Sequence, residues 1–263
     1  VKNLVQLQLN LLEKLRQNNP IVLTIANTVT PAKVADAVSA IGASPIMSLA
    51  PQEATEMVTL ADAITINLGT INAEQANEVT AVLRKNQAQQ KPVVLDPVAI
   101  GASRYRLTFA KGLLQNYHFT VIRGNAGEIA TLANADWNSQ GIDAGSGQAD
   151  IHEIARKVAK KYHCIVILTG QTDIMTNCEH DFTNQLSTPY FATNVGSGDM
   201  LSSIIAAFLA VSNDSYAAAC TAIKIFTAAG VKATRESSGF GQWQIKLMDE
   251  LTTISSADIP SIM

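Results

Sequence analysis

The octapeptide Asn194-Val195-Gly196-Ser197-Gly198-Asp199-Met200-Leu201 sets two glycines and a carboxylate directly ahead of a long apolar helical pattern. Glycines let a backbone close on a bound anion, and a helix start presents unpaired N–H groups and a partial positive charge. A carboxylate at that point can orient a hydroxyl group and take its proton beside a phosphate. The chemistry implied is phosphoryl transfer to a small alcohol. An aspartate in a first helical turn also occurs for its capping and dipole value alone, so other residues must decide between the two.

Those residues close a series of short apolar runs at 21–26, 45–49, 63–68, 93–96, 119–123 and 164–169. Continuous rather than alternating apolarity is what a strand covered on both faces requires, hence a parallel sheet. In such a sheet ligands bind beyond the carboxyl ends of the strands. Asn27 follows the first run; Met47 and Ser48 end the second; Asn67, Gly69 and Thr70 end the third; Asp96 ends the fourth, before Pro97. Arg123 to Glu128 close the fifth and Thr169-Gly170 the sixth.

Each has a plainer reading beside the chemical one. Asp96 before a proline can simply open a turn. Arg123 directly follows apolar Val121-Ile122, which suits an enclosed anionic partner, and a guanidinium fork matches phosphoryl oxygens. Asn125 and Glu128 have the spacing of a helix capping box, while Glu128 could instead hold magnesium through water. Thr169-Gly170 could bind phosphate or form an ordinary strand-end turn. Met47 is more often core than ligand contact. His118, His152, His163 and His180 have no ligand-like spacing and receive no catalytic task.

The elements that must position these groups follow from periodicity. Helical spacing spans 31–41, 52–60, 73–89, 127–133, 151–162, 199–211, 215–235 and 243–251. Pro31 suits the first turn of its helix. Alternation between 172 and 191 predicts a hairpin with 177–180 near its tip. The stretch 141–147 reads as a mobile loop, and no linker or repeat divides the chain. The expectation is one α/β domain over residues 1–263, with a mostly parallel central sheet flanked by helices on both faces.

Bulk properties narrow the class. With 263 residues, 47% hydrophobic content and a net charge of −3, the chain has no basic cluster able to track a nucleic acid. No run approaches the roughly 18 apolar residues of a membrane span, and 1–19 carries charge throughout, so the expected compartment is the cytoplasm. Cys164, Cys178 and Cys220 fit neither a disulfide framework nor a zinc site by spacing. Cys164, inside an apolar run, reads as a small buried hydrophobe.

Taken together, the blocks resemble the hydroxyethylthiazole kinase family of the ribokinase-like superfamily. They are Ile25-Ala26-Asn27-Thr28-Val29, Gly42-Ala43-Ser44-Pro45-Ile46-Met47, Asn67-Leu68-Gly69-Thr70, Leu95-Asp96-Pro97-Val98, Ile122 to Glu128, Leu168-Thr169-Gly170 and Gly196-Ser197-Gly198-Asp199. The resemblance implies a ribokinase-like kinase that uses ATP and magnesium to phosphorylate 4-methyl-5-(2-hydroxyethyl)thiazole in thiamine salvage. By matched position it implies thiazole contacts from Met47 and Gly196, with Asn27 nearby. Arg123 and Thr169 match ATP phosphate contacts, and the amides of Ser197, Gly198 and Asp199 an anion cradle. Asp96 and Glu128 match the magnesium site, Asp199 the catalytic position. A homotrimer with thiazole sites at subunit contacts is implied as well.

Two departures stand out. Asp199 occupies a position that is often Cys in the family, and Ala99-Ile100-Gly101 replaces a frequent Gly-Ala-Gly; Ala26 also replaces a frequent Thr. Rival readings are a hydroxymethylpyrimidine or pyridoxal kinase of the same superfamily, or a non-catalytic sensor of the same fold. A nucleotide-dependent dehydrogenase is disfavoured because no Gly-x-Gly-x-x-Gly follows the first strand.

Overall fold

The apolar runs assemble into one continuous sheet. A computed structural model of the chain describes residues 7–135 and 150–262; the stretch 141–147 lies outside them. The strands are β1 (Ile21–Ile25), β2 (Ser44–Met47), β3 (Ala63–Asn67), β4 (Val93–Asp96), β5 (Val121–Asn125), β6 (Ile165–Thr169), β7 (Asp173–Thr176) and β8 (Asp181–Asn184). Their order is β2-β1-β3-β4-β5-β6-β7-β8. The six expected strands pair in parallel. The expected hairpin, β7–β8, adds the antiparallel edge.

From β1 the chain moves outward to β2 and then returns to β3 on the other side of β1. Strand order therefore reverses at β1, and the crevice between the ends of β1 and β3 is where an open parallel sheet receives ligands. Asn27 and Asn67 stand at that crevice.

Helices cover both faces: α1 (Asn10–Asn18), α2 (Pro31–Ile41), α3 (Ala54–Leu60), α4 (Ala73–Gln89), α5 (Arg104–Asn116), α6 (Ala126–Ala133), α7 (Ile151–Tyr162), α8 (Pro189–Thr193), α9 (Ser197–Ala210), α10 (Ser215–Arg235), α11 (Phe240–Thr253) and α12 (Ile259–Ile262). Alternate strand residues feed two separate cores. Val22, Val94, Val121 and Ile167 join residues of α1, α2, α9, α10 and α11. Leu23, Ile64, Leu95, Ile122 and Val166 join residues of α3 to α7. Double coverage is why the strands read as unbroken apolar runs. Helix α9 is buried almost throughout and packs under β1, β3 and β4. Its position brings its first turn to the carboxyl rim of the sheet.

Helices α1, α5, α8 and α12 fall where the sequence predicts none. Ala110 and Leu113 of α5 are buried, with Leu107, Phe109 and Leu114 packed partly buried beside them, a short stripe interrupted by Lys111 and Gly112. Strand β5 begins two residues later than the run at 119–123 suggests. Phe119 is buried in the core yet lies ahead of the β5 strand. Among the described residues no helix is long and apolar enough to cross a membrane.

Candidate active site

Asp199 sits in the first turn of α9 with both carboxylate oxygens engaged. Its Oδ2 accepts from Asn27 Nδ2 at 2.8 Å and from Thr30 Oγ1 at 2.5 Å. Its Oδ1 accepts from Asn67 Nδ2 at 3.0 Å. A carboxylate has about four lone-pair sites. Oδ2 is therefore filled, and one acceptor direction remains on Oδ1.

The donors are fixed in turn. Asn27 Oδ1 accepts from the amides of Val29 and Thr30, and its Nδ2 also donates to Asn67 Oδ1. Asn67 Oδ1 takes the Gly69 amide, and the remaining hydrogen of Asn67 Nδ2 goes to Asp96 Oδ2 at 3.3 Å. Both amide hydrogens of Asn27 are thus committed to Asn67 and Asp199. Expected beside the thiazole, Asn27 is placed to orient the carboxylate and has no free donor for a ligand.

The start of α9 explains its glycines. Gly196 adopts φ +96°, and a Cβ there would lie 2.8 Å from Thr30 Cγ2. Only glycine meets both conditions. At the next positions the expected cradle is narrower than predicted. The Ser197 amide donates to Asn194 O at 3.2 Å, and its hydroxyl exchanges bonds with the same asparagine. Ser197 is therefore held by Asn194, and the amides of Gly198 and Asp199 are the two of the first turn without an acceptor among the described residues. Two aligned amides at a helix start still make an anion site.

Arg123 lies across that site. Its Nη2 donates to Thr169 Oγ1 at 2.7 Å and its Nη1 to Asp96 Oδ2 at 3.4 Å, while Nε has no partner. The guanidinium packs so closely on Gly198 that a Cβ there would be 2.1 Å from Nη1. Arg123, Thr169, Ser197 and Gly198 border a cavity of about 840 Å³. Leu186, Pro189, Phe191 and Phe226 add apolar lining, and Gln171, Asp173, Thr188 and Thr227 polar lining. A cavity that joins a guanidinium to apolar and hydrogen-bonding side chains suits a nucleotide, with phosphates at Arg123. The Asp199 side chain is outside this lining and faces the crevice between β1 and β3.

Asp96 is fully buried. Besides Arg123 and Asn67, its Oδ2 accepts from Ser202 Oγ at 2.9 Å, and its Oδ1 has no partner among the described residues. Burial pushes its pKa up to about 7; Arg123 opposes this, and the charges of Asp199 and Glu128 reinforce it. Below about 3.8 neither the folded nor the unfolded chain ionises this group, and above about 7 both do. Between those values the folded chain holds the extra proton, so stability falls as pH rises through this window and levels off above it. The Asp96→Asn variant places an amide oxygen on the same donors and loses that slope. Urea titrations of both proteins from pH 4 to pH 8 should show the stability difference moving in favour of the variant. Parallel curves would mean that Asp96 is already ionised at the acid end.

Glu128 completes the expected capping box, Oε2 accepting from the Asn125 amide at 2.8 Å and Asn125 Oδ1 from the Glu128 amide at 3.0 Å. Its Oε1 also accepts from the Ala99 amide at 2.8 Å. Ala99 has φ 58°, a left-handed conformation that costs any residue with a Cβ about 1 kcal/mol or more. The Glu128 bond holds it there, so the departure from glycine is accommodated without opening the loop. Met47 ends β2 opposite Thr24, half-buried on the same rim.

Thr30, Asn67 and Ser202 are functional neighbours that sequence reasoning left without a role. Asn67 carried a signal, being polar at a strand end. Thr30 and Ser202 carried none, since a threonine before a helix proline and a serine in an apolar helix are ordinary.

The fold is ribokinase-like: a ribokinase-like superfamily protein from Enterococcus faecalis superposes with a TM-score of 0.66 at 18% identity, covering 97% of this chain and 100% of that one. The model of the Hydroxyethylthiazole kinase family matches residues 12–257. A hydroxyethylthiazole kinase from Limosilactobacillus reuteri is 52% identical over 255 residues, 96% of this chain and 94% of that protein. One from Pasteurella multocida is 39% identical over 256 residues, 94% of each. The structure of a hydroxyethylthiazole kinase protein from Pyrococcus horikoshii superposes with a TM-score of 0.88 at 29% identity, covering 96% of this chain and 95% of that one. The chain belongs to the hydroxyethylthiazole kinase family, a family of phosphotransferases.

Proposed function

We propose that this chain transfers the terminal phosphoryl group of ATP to the primary alcohol of 4-methyl-5-(2-hydroxyethyl)thiazole, in the cytoplasm, as the thiazole branch of thiamine salvage. The observation that carries the reading is the single open acceptor direction on Asp199 Oδ1, one residue from the free Gly198 amide on the nucleotide side. The alcohol donates its hydrogen to Oδ1 and points its oxygen at the phosphorus. In a loose phosphoryl transfer the nucleophile bonds late, so its proton can pass to Oδ1 late. The Gly198 and Asp199 amides and Arg123 meet the oxygens on which charge develops. Thr169 orients Arg123 from the far side.

Magnesium fits the acidic end of this site. Asp96 Oδ1 is a buried acceptor with no donor among the described residues, and the charges of Asp199 and Glu128 act on Asp96, which favours a cation there. Among the described residues no three His, Cys, Asp or Glu side chains converge as direct ligands, which favours holding through water by Asp96 and Glu128. The ion supplies charge neutralisation on the nucleotide phosphates.

Met47 and Gly196 bound the thiazole side, and exposed Val29, Leu49 and Val195 lie on the loops beside it. Apolar side chains left open around a binding crevice support closure by neighbouring copies in a homotrimer.

Thr30→Val keeps the shape but removes one donor from Oδ2. A hydrogen bond to a charged group is worth about 1.5–3 kcal/mol. We expect kcat to fall about ten- to a hundredfold with KM for the alcohol nearly constant; a rise in KM alone would assign Thr30 to substrate binding. The function itself is tested by ADP release with a panel of alcohols. Turnover should require the thiazole alcohol. Phosphorylation of hydroxymethylpyrimidine or pyridoxal in its place, or no turnover of any alcohol, would overturn the proposal.

A further inference from the structure

At the end of the sheet remote from the catalytic rim, two cysteines border one cavity, Cys164 directly before β6 and Cys178 in the β7–β8 turn. In the β6–β7 ladder Val166 pairs with Thr176, Ile167 with Met175 and Leu168 with Ile174. Cys164 lies two residues before that ladder and Cys178 two residues beyond its other strand, where the chain has left the extended conformation with φ 75°. Two features bring their side chains toward the same place. Cys164 packs in the same core as Val166, Leu168 and the buried face of α7, and Cys178 Sγ reaches the Arg156 carbonyl of α7 at 3.5 Å. Both side chains also line one cavity of about 360 Å³.

The thiols are free, Cys178 exposed and Cys164 buried. His118 and His163 border the same cavity. Among the described residues, however, no three potential ligands converge, so an ion site does not account for the pair. Cys220 belongs to the core on the opposite face of the sheet and is out of reach.

We propose that Cys164 and Cys178 are a redox-active dithiol that closes to an intramolecular disulfide when the protein meets a low-molecular-weight disulfide. The exposed Cys178 thiolate attacks one sulfur of that reagent, forming a mixed disulfide and releasing one small thiolate. Cys164 then loses its proton to solvent and attacks the Cys178 sulfur, releasing the second small thiolate. Two protein thiols are oxidised, and one external disulfide is reduced to two thiols. Burial pushes the Cys164 thiol up to about 12, so Cys178 reacts first and ring closure is the slow step. The bond pins the turn at 177–180 to the start of β6. It thereby ties together the two strands whose other ends, Thr169 and Asp173, border the nucleotide cavity.

The test treats the purified full chain with oxidised glutathione, alkylates the remaining thiols after unfolding, and maps peptides without reduction. The expected product links Cys164 to Cys178, is lighter by two hydrogen atoms, and leaves Cys220 as the alkylated thiol. Cys178→Ser should abolish the link, and Cys220→Ser should keep it. The oxidised protein should also melt at a higher temperature than the reduced one, because the bond restricts the unfolded chain. Glutathione remaining on Cys178 with Cys164 still alkylated, a dimer linked through Cys178, or three unreacted thiols would each overturn the proposal.

Discussion

Replacing Asp199 by Asn should lower kcat about 10²- to 10⁴-fold, the usual contribution of a positioned general base, with little change in thiazole binding. The substitution keeps the size of the side chain and removes its charge. Oδ2 receives donors from Asn27 and Thr30, and Oδ1 one from Asn67. An amide nitrogen at either position faces a donor it cannot accept from. If the oxygen takes the doubly bonded position, the open direction toward the alcohol is lost as an acceptor. Steady-state kinetics with saturating ATP, alongside calorimetric titration of the thiazole alcohol, separates the two effects. Near wild-type turnover in a protein whose chemical step limits the rate would falsify the assignment.

The second large effect is expected from Gly198→Ala. The new methyl group would sit 2.1 Å from Arg123 Nη1 and 2.6 Å from its Cζ, so the guanidinium has to leave. Its bonds to Thr169 and Asp96 go with it. Removing one preorganised donor from a transition state costs about 10²–10³ in rate. We expect kcat/KM for ATP to fall by that factor while the fold persists, since alanine favours a helix over glycine by about 1 kcal/mol. Comparison with Arg123→Ala and with the double variant isolates the cause. If the clash acts through Arg123, the double variant is no worse than Arg123→Ala alone. An added loss in the double variant would instead show that the methyl group obstructs the amides directly.

Much of this architecture is legible in the residues because it rests on local rules. Two-faced burial writes each parallel strand as an unbroken apolar run, and Pro31, Asn125 and Glu128 mark helix starts through their own chemistry. The β7–β8 turn is legible for the same reason, its tip at 177–180 being polar between alternating segments. Other features depend on distances in the chain that no spacing reveals. Asn67 and Asp199 are brought together by the return of β3 beside β1. The Ser197 amide is spent on Asn194 because of how α8 enters α9, which no composition rule encodes. Cys164 and Cys178 look unrelated until the fold sets them on one cavity. Helix α5 escapes notice because its stripe at 107, 110, 113 and 114 is short and interrupted by Lys111 and Gly112.

The opening turn of α9 has one further consequence. It faces two ways, the Asp199 carboxylate toward the β1–β3 crevice and the Gly198 backbone toward the chamber by β5 and β6. On the proposed reading, with the alcohol in the crevice and the nucleotide in the chamber, neither compound has to pass the other's seat. The two seats meet at the Gly198–Asp199 backbone, where the alcohol oxygen and the terminal phosphorus come into contact. Access from two sides would let one helix end serve both compounds.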